Sequence, residues 1–284
     1  AWTNGQLHVW SHERDLPARL EWSVAMADQA AGSPLAIPVG YSRAGLEVAD
    51  LARGPHPHLL VGGETGMGKS TFFRQALASL HHLHGPEGLR LWLVDLKGGV
   101  ELRPLASSKL TESLAADPPD AAEDLDRVNR LVDERMHLLA RTSVESLAAY
   151  NARNQPLPYH LVLVDELAEL SPAVAMGKVE KALRSACHSA LTRLLRLARF
   201  CGVHVILGTQ RPDAETLPGP MKANIGLTVA FHTRNAINSQ ILLDHDRAAY
   251  LPALPGRAVL QGQIEREVQV PWISLEEARQ VISR

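Results

Sequence analysis

Cysteine is scarce in this chain of 284 residues: Cys187 and Cys201 are the only two. They are too few for a disulfide framework and neither has a metal-ligand spacing, so they fit a reducing compartment. No apolar run approaches the roughly 20 residues that cross a bilayer, and no signal peptide is visible. A dominant charge is missing too, with a formal net charge of -2 and a pI near 6.7. So nearly neutral a chain does not announce a nucleic-acid binder. Any DNA contact has to come from local basic loops, or from a ring that gathers them. The first residue is Ala1 rather than Met, which points to a piece of a longer protein with membrane segments or accessory domains elsewhere. What is present, at 45% hydrophobic content, suffices for one large α/β domain or one domain with a small appendage.

The chain is organised around one stretch. An apolar run, Leu59 to Val61, reads as a buried strand. It leads into Gly63-x-x-x-x-Gly68-Lys69-Ser70, the P-loop pattern. Glycines let successive N–H groups converge on an anion. Thr71 to Leu83 has helical spacing, which sets the phosphates at a helix N-terminus. Lys69 is expected at the β- and γ-phosphates, and the Ser70 hydroxyl on Mg²⁺. The expected ATP contacts are Gly63, Glu64, Thr65, Gly66, Met67, Gly68, Lys69, Ser70 and Thr71, together with Asp165.

A second apolar strand, Leu161 to Val164, ends in Asp165-Glu166, the Walker B arrangement. Asp165 is expected in the Mg²⁺ shell and Glu166 at the water, as general base. The plainer reading is an acidic cap on the segment that follows. A third strand, Gly202 to Gly208, ends in Thr209-Gln210-Arg211-Pro212. Gln210 is the candidate sensor of the γ-phosphate, and Arg211 serves the same nucleotide or a neighbour's. Leu89 to Leu96 is a further strand. The Asp95 and Lys97 that end it line the site or form a local surface ion pair.

Elsewhere the pattern gives scaffold. Gln6 to Trp10 reads as a strand and Leu16 to Ala31 as a helix. Ile37 to Leu51 reads as strand, turn and strand. Trp2, Trp10 and Trp22 read as packing anchors. His81-His82-x-His84 reads as a solvated helix end rather than a metal site. A long helix starts at Asp117, with Glu134 and Arg135 facing outward. Lys178 to Arg199 reads as a helix with a solvated basic face. Ile225 to Phe231 is a strand and Ala236 to Asp244 a short helix. Arg257 to Leu260 and Glu265 to Val270 form a hairpin, and Ser274 caps a closing helix.

Taken together, the order of residues resembles the FtsK/SpoIIIE family of DNA-translocating ATPases. His58-Leu59-Leu60-Val61-Gly62-Gly63-Glu64-Thr65-Gly66-Met67-Gly68-Lys69-Ser70 is similar to that family's nucleotide loop. Ala198 to Pro212 is similar to its most specific signature, and Lys222-Ala223-Asn224-Ile225 to a short phrase beyond it. Glu134-Arg135-Met136 followed by Tyr150-Asn151 also matches. The resemblance covers about residues 36 to 275. Asp95 to Leu102 looks more like the plasmid and integrative-element branch, whose members move DNA between cells. Two features depart from the family. Gln240 stands where many relatives carry an Arg, which leaves Arg234 or Arg211 as the trans-acting finger. The winged-helix module of some relatives is missing.

The resemblance implies a RecA-like α/β P-loop core, a mostly parallel sheet flanked by helices, over residues 36–284. Residues 1–35 are read as an extension or linker. It further implies an ATP hydrolase with ATP and Mg²⁺ as cofactors, forming a homohexameric ring around double-stranded DNA. The location implied is cytoplasmic, or at the inner face of the cell membrane through regions outside this chain. Arg247, Arg257 and Arg266 are the expected channel contacts. A ring ATPase that engages protein for secretion is the alternative.

Overall fold

The structure, a computed structural model, describes the backbone of residues 2–3 and 6–7 and the whole of residues 15–283. Trp2–Thr3 (β1) and Gln6–Leu7 (β2) form an antiparallel pair. The rest of the expected strand to Trp10, and the side chains of Trp2 and Trp10, lie outside the described residues.

The expected helix over Leu16 to Ala31 forms only at Val24–Ala30 (α1). Its first half is drawn into backbone pairing with the far end of the chain: Trp272 N donates to Leu20 O at 2.7 Å, and Trp22 N to Trp272 O at 2.8 Å. Trp22 is the anchor expected, packed on the core with its indole N–H on Ser79 Oγ at 2.9 Å. The expected division at residue 36 falls between α1 and Ala36–Ser42 (β3), which both pack on the helix of the P-loop.

β3 turns into Gly45–Asp50 (β4), and His58–Gly62 (β5) runs into Lys69–Leu83 (α2). Leu89–Val94 (β6), Thr111–Ala115 (β7), Pro118–Arg141 (α3) and Leu147–Asn151 (α4) follow. Next come Tyr159–Val164 (β8), Lys178–Leu197 (α5), Val203–Thr209 (β9) and Gly219–Lys222 (α6). Leu227–Phe231 (β10), Ala236–Leu243 (α7), the Arg257–Gln261 (β11) and Arg266–Gln269 (β12) hairpin, and Leu275–Ile282 (α8) complete the chain.

Ten strands make one sheet in the order β4-β3-β12-β11-β10-β5-β9-β8-β6-β7. The six from β10 to β7 are parallel; the four on the other flank are antiparallel. The fold is therefore a mostly parallel mixed sheet flanked by helices. Every residue of β5, β8 and β9 is buried, as a parallel sheet covered on both faces requires. Alternation divides the core. Leu59 and Val61 enter one cluster with Phe72, Phe73 and Leu77 of α2. Leu60 enters the other, with Leu125 and Val128 of α3 and Leu191 and Leu194 of α5. Register sets Gly62 beside Thr209, and Leu207 beside Val164. The carboxyl ends of β5, β9 and β8 thus open side by side, where open α/β sheets bind ligands.

Two basic readings are corrected. Arg135 does not face outward. It is buried, and it donates to Cys201 O at 2.7 Å and Pro158 O at 2.6 Å, tying α3 to the loops before β8 and β9. The basic face of α5 is only partly solvated: Arg184 is buried on Glu180, and Arg193 is paired with Asp133.

Three histidines sit inside the sheet. Burial pushes His58 and His160 down to about 3, and His204 down to about 4. Unfolded, each takes up a proton near 6.5; folded, each stays neutral until far more acid. Their contribution is complete above about pH 6.5 and is lost as pH falls toward 3–4. Each adds a slope of about 1.4 kcal/mol per pH unit within that window. The urea midpoint should therefore drop steeply between pH 6.5 and 5, and His160→Gln should flatten the drop by less than about one third, since burial also lowers His56, His81, His84 and His188. A midpoint that does not move with pH removes these residues as the cause.

Candidate nucleotide-binding site

The loop after β5 is held from behind. Glu64 N donates to His232 O at 2.9 Å, and Gly256 N to Met67 O at 2.8 Å. Gly66 has φ +85° and Gly68 φ +130°, values that L side chains rarely adopt. At Gly68 a Cβ would also meet the Phe231 ring at 2.9 Å. Gly68 precedes α2 without any side-chain cap, so the first N–H groups of the helix remain for a ligand.

A cavity of about 550 Å³ opens over this turn, lined by Glu64, Thr65, Gly66, Gly68, Lys69, Ser70 and Thr71. Its far wall comes from the chain's two ends: Arg19 lies over the Trp272 ring at 4.1 Å, beside Pro255 and Gly256. Gly63 lines a second cavity of about 430 Å³ with Thr65, Gln210, Arg211 and Arg234. Met67 lines neither; its side chain packs on the core. Arg211 and Arg234, read as finger candidates, thus stand beside this chain's own P-loop.

Lys69 is engaged with Asp165, its Nζ lying 2.6 Å from Oδ1 and 2.7 Å from the carbonyl, in a pair almost wholly buried. Asp165 Oδ2 is buried without a protein donor, and Ser70 lines the cavity. This donor set fits a divalent cation: Ser70 and Asp165 would hold it, and it would neutralise phosphate charge.

Glu166, only 3% exposed, does not cap the turn after it. Its two oxygens accept from Gln210 N at 3.0 and 3.1 Å. Gln210 Oε1 in turn accepts from Thr65 Oγ1 at 2.8 Å. The expected base, the expected sensor and the P-loop are thereby linked in one chain of contacts.

Asp95 and Lys97 divide between their two readings. Asp95 is buried and organises its loop, accepting from the N–H groups of Glu101 at 2.9 Å and Leu102 at 2.8 Å. Lys97 Nζ reaches Glu166 Oε2 at 3.1 Å. Sequence reasoning missed Arg74 and Glu101, which pair at 3.7 Å in the wall of the cavity, and the Arg19–Trp272 platform. No local pattern marks them, because each pair is assembled from separate segments. His81 and His82 take side-chain partners, Ser108 and Asp28, and no metal cluster occurs among the described residues.

The expected DNA set is also divided. Arg247 is exposed and pairs with Glu265, while Arg266 is half-buried and pairs with Glu47 at 3.0 Å. Arg257 is corrected: it is 7% exposed, and its guanidinium is spent on Glu267, Gln269 and the carbonyls of Leu16 and Pro17. It latches the N-terminal segment to the hairpin, with four of its five N–H groups taken up inside the protein. No helix among the described residues is long and apolar enough to cross a membrane.

Known proteins are similar to this chain in sequence and in fold. The DNA translocase FtsK of Streptococcus pneumoniae is 34% identical over 230 residues, covering 76% of this chain and 28% of that protein. The DNA translocase SpoIIIE of Bacillus subtilis is 33% identical over 200 residues, 66% of this chain and 24% of that one. The chain thus spans less than a third of either relative. The pCW3 conjugation coupling protein TcpA, in its monomer form with ATPγS, shares the fold with a TM-score of 0.84 at 24% identity, covering 95% of this chain and 75% of that one. The cytoplasmic domain of the Type VII secretion ATPase EccC from Thermomonospora curvata has a TM-score of 0.72 at 23% identity, over 88% of this chain and 31% of that one. The family profile of FtsK/SpoIIIE matches residues 23–214. With its P-loop, its Asp165-Glu166 strand end and its Thr209-Gln210 strand tip all inside that span, the chain belongs to the FtsK/SpoIIIE family.

Proposed function

We propose that this chain is the ATP-hydrolysing motor of a ring that translocates double-stranded DNA. The observation that carries the reading is the contact chain Glu166–Gln210–Thr65, which ties a buried carboxylate to the P-loop. In the reaction, a water oxygen bonds to the γ-phosphorus while the bond to the β,γ-bridging oxygen breaks. ADP leaves, and the water's proton passes to Glu166. Lys69 exchanges Asp165 for the β- and γ-phosphate oxygens. Ser70 and Asp165 would hold Mg²⁺, which would neutralise phosphate charge. Gln210 touches both the P-loop and Glu166, so a γ-phosphate that moves Thr65 moves Gln210 as well. Arg211 and Arg234 face the second cavity, where one of them completes the charge on the transferred group, in its own subunit or from a neighbour in a homohexamer. The motor would work in the cytoplasm or at the inner face of the cell membrane.

The DNA part of the reading is tested by ATP turnover with and without random duplex, and by binding titrated with salt. Binding should show little sequence preference and weaken steeply as salt rises, because each neutralised phosphate releases counterions. Arg247 and Arg266 are the two arginines of the expected channel set that reach solvent. Replacing both with Ala should flatten the salt slope by about two per subunit engaged and lower DNA-stimulated turnover, with nucleotide affinity unchanged. An unaltered slope removes both from the channel. If rings form but bind no duplex, the protein-secretion reading takes its place.

A further inference from the structure

Glu166 is not free in this subunit. Both carboxylate oxygens accept from the single N–H of Gln210, and Oε2 also faces the Lys97 ammonium at 3.1 Å. The carboxylate is almost wholly buried, while Lys97 is one-third exposed. One end of this pair is therefore fixed and the other can leave into solvent. An ammonium at that distance offsets the charge that must receive a proton, and it occupies an oxygen that must meet water.

The loop that carries Lys97 is built to hold it at one point. Asp95 pins the base of the loop through the N–H groups of Lys97, Glu101 and Leu102. Directly after Lys97, Gly98 and Gly99 take φ +73° and +74°, so the chain turns back sharply there. Four residues beyond Lys97, Glu101 pairs with Arg74 of α2 and lines the nucleotide cavity. One short loop thus touches the water-activating carboxylate with one side chain and the nucleotide cavity with another. Lys97 itself lines neither cavity over the P-loop.

We propose that Lys97 is a positioning residue that restrains Glu166. The ion pair keeps the carboxylate turned onto Gln210 N–H and away from water in the resting subunit, and turnover requires Lys97 to release it. This rests on the reading that Glu166 activates water. A lysine that merely decorates the surface would leave turnover unchanged when removed. A lysine that orients Glu166 productively would, when removed, lower it.

The test is steady-state ATP turnover of the purified chain with Mg²⁺ and no DNA. Lys97→Ala should raise kcat roughly tenfold, the size of one charge-assisted contact released, and leave KM within about twofold. Lys97→Met, which keeps the stem and removes the charge, should do the same. Lys97→Arg should restore the low rate, and Lys97→Ala should add nothing in a Glu166→Gln background. An unchanged or lower kcat in Lys97→Ala and Lys97→Met, with nucleotide affinity intact, overturns the proposal. So does a loss of nucleotide affinity, which would place Lys97 in the binding wall. Wild-type turnover by Glu166→Gln alone would instead sink the reading of Glu166, so the two failures are separable.

Discussion

Glu166→Gln is expected to bind ATP as tightly as the parent chain and to turn it over at least about 10²-fold more slowly, the scale of a lost general base. The substitution keeps the shape of a side chain that is almost wholly buried. The new amide oxygen still accepts from Gln210 N, so the contact chain to Thr65 survives. The amide cannot take a proton from water. Its NH₂ group faces Lys97, which turns into solvent because it is already one-third exposed. Folding is therefore little affected, and the loss falls on the chemical step. Binding of a fluorescent ATP analogue and single-turnover phosphate release separate the two quantities. Wild-type release would remove Glu166 from the role of general base.

The parts of this site that could be read from sequence are those whose meaning is local. β5, β8 and β9 are continuous apolar runs, and each ends in the polar residues that matter: the P-loop, Asp165-Glu166 and Thr209-Gln210. A strand buried on both faces has few alternatives. The hairpin of β11 and β12 and the capping box at Ser274 were legible for the same reason. β7 was not, since Thr-Glu-Ser-Leu-Ala at the sheet edge carries no apolar run.

Arginines were the least legible residues. Arg135 and Arg257 look like surface charges beside their sequence neighbours. Both are buried because distant carbonyls meet the guanidinium: Cys201 and Pro158 for one, Leu16 and Pro17 for the other. Backbone carbonyls take up part of each five-donor fork, and no spacing along the chain records that. Lys97 was legible as a candidate but not as a partner of Glu166, since the two lie 69 positions apart. The same long range hides the strand-like pairing of Leu20 and Trp22 with Trp272, which overrode the helical spacing before α1.

Lys69→Ala is expected to weaken ATP binding by roughly a hundredfold or more, because the β- and γ-phosphates lose their cationic partner. It should also destabilise the ligand-free chain, which a surface lysine would not do. Lys69 Nζ and Asp165 Oδ1 form a buried pair at 2.6 Å. Removing one partner strands the other charge, at a cost of about 3–5 kcal/mol. The stranded carboxylate already has an Oδ2 without a donor, so the variant leaves both of its oxygens short of partners. A second substitution separates the two effects. Lys69→Ala with Asp165→Asn removes the stranded charge, and should recover most of the lost stability while recovering no nucleotide affinity. Urea unfolding without nucleotide reads the first quantity. The thermal shift on adding ATP and Mg²⁺ reads the second: the parent chain gains about 2.7 kcal/mol at a hundredfold excess over Kd, and both variants gain no more than about 0.4 kcal/mol at that concentration. If Lys69→Ala is as stable as the parent, the buried pair is not a source of stability. If it shifts on ATP as the parent does, Lys69 has no part in holding the phosphates, and the loop after β5 binds them through its backbone alone.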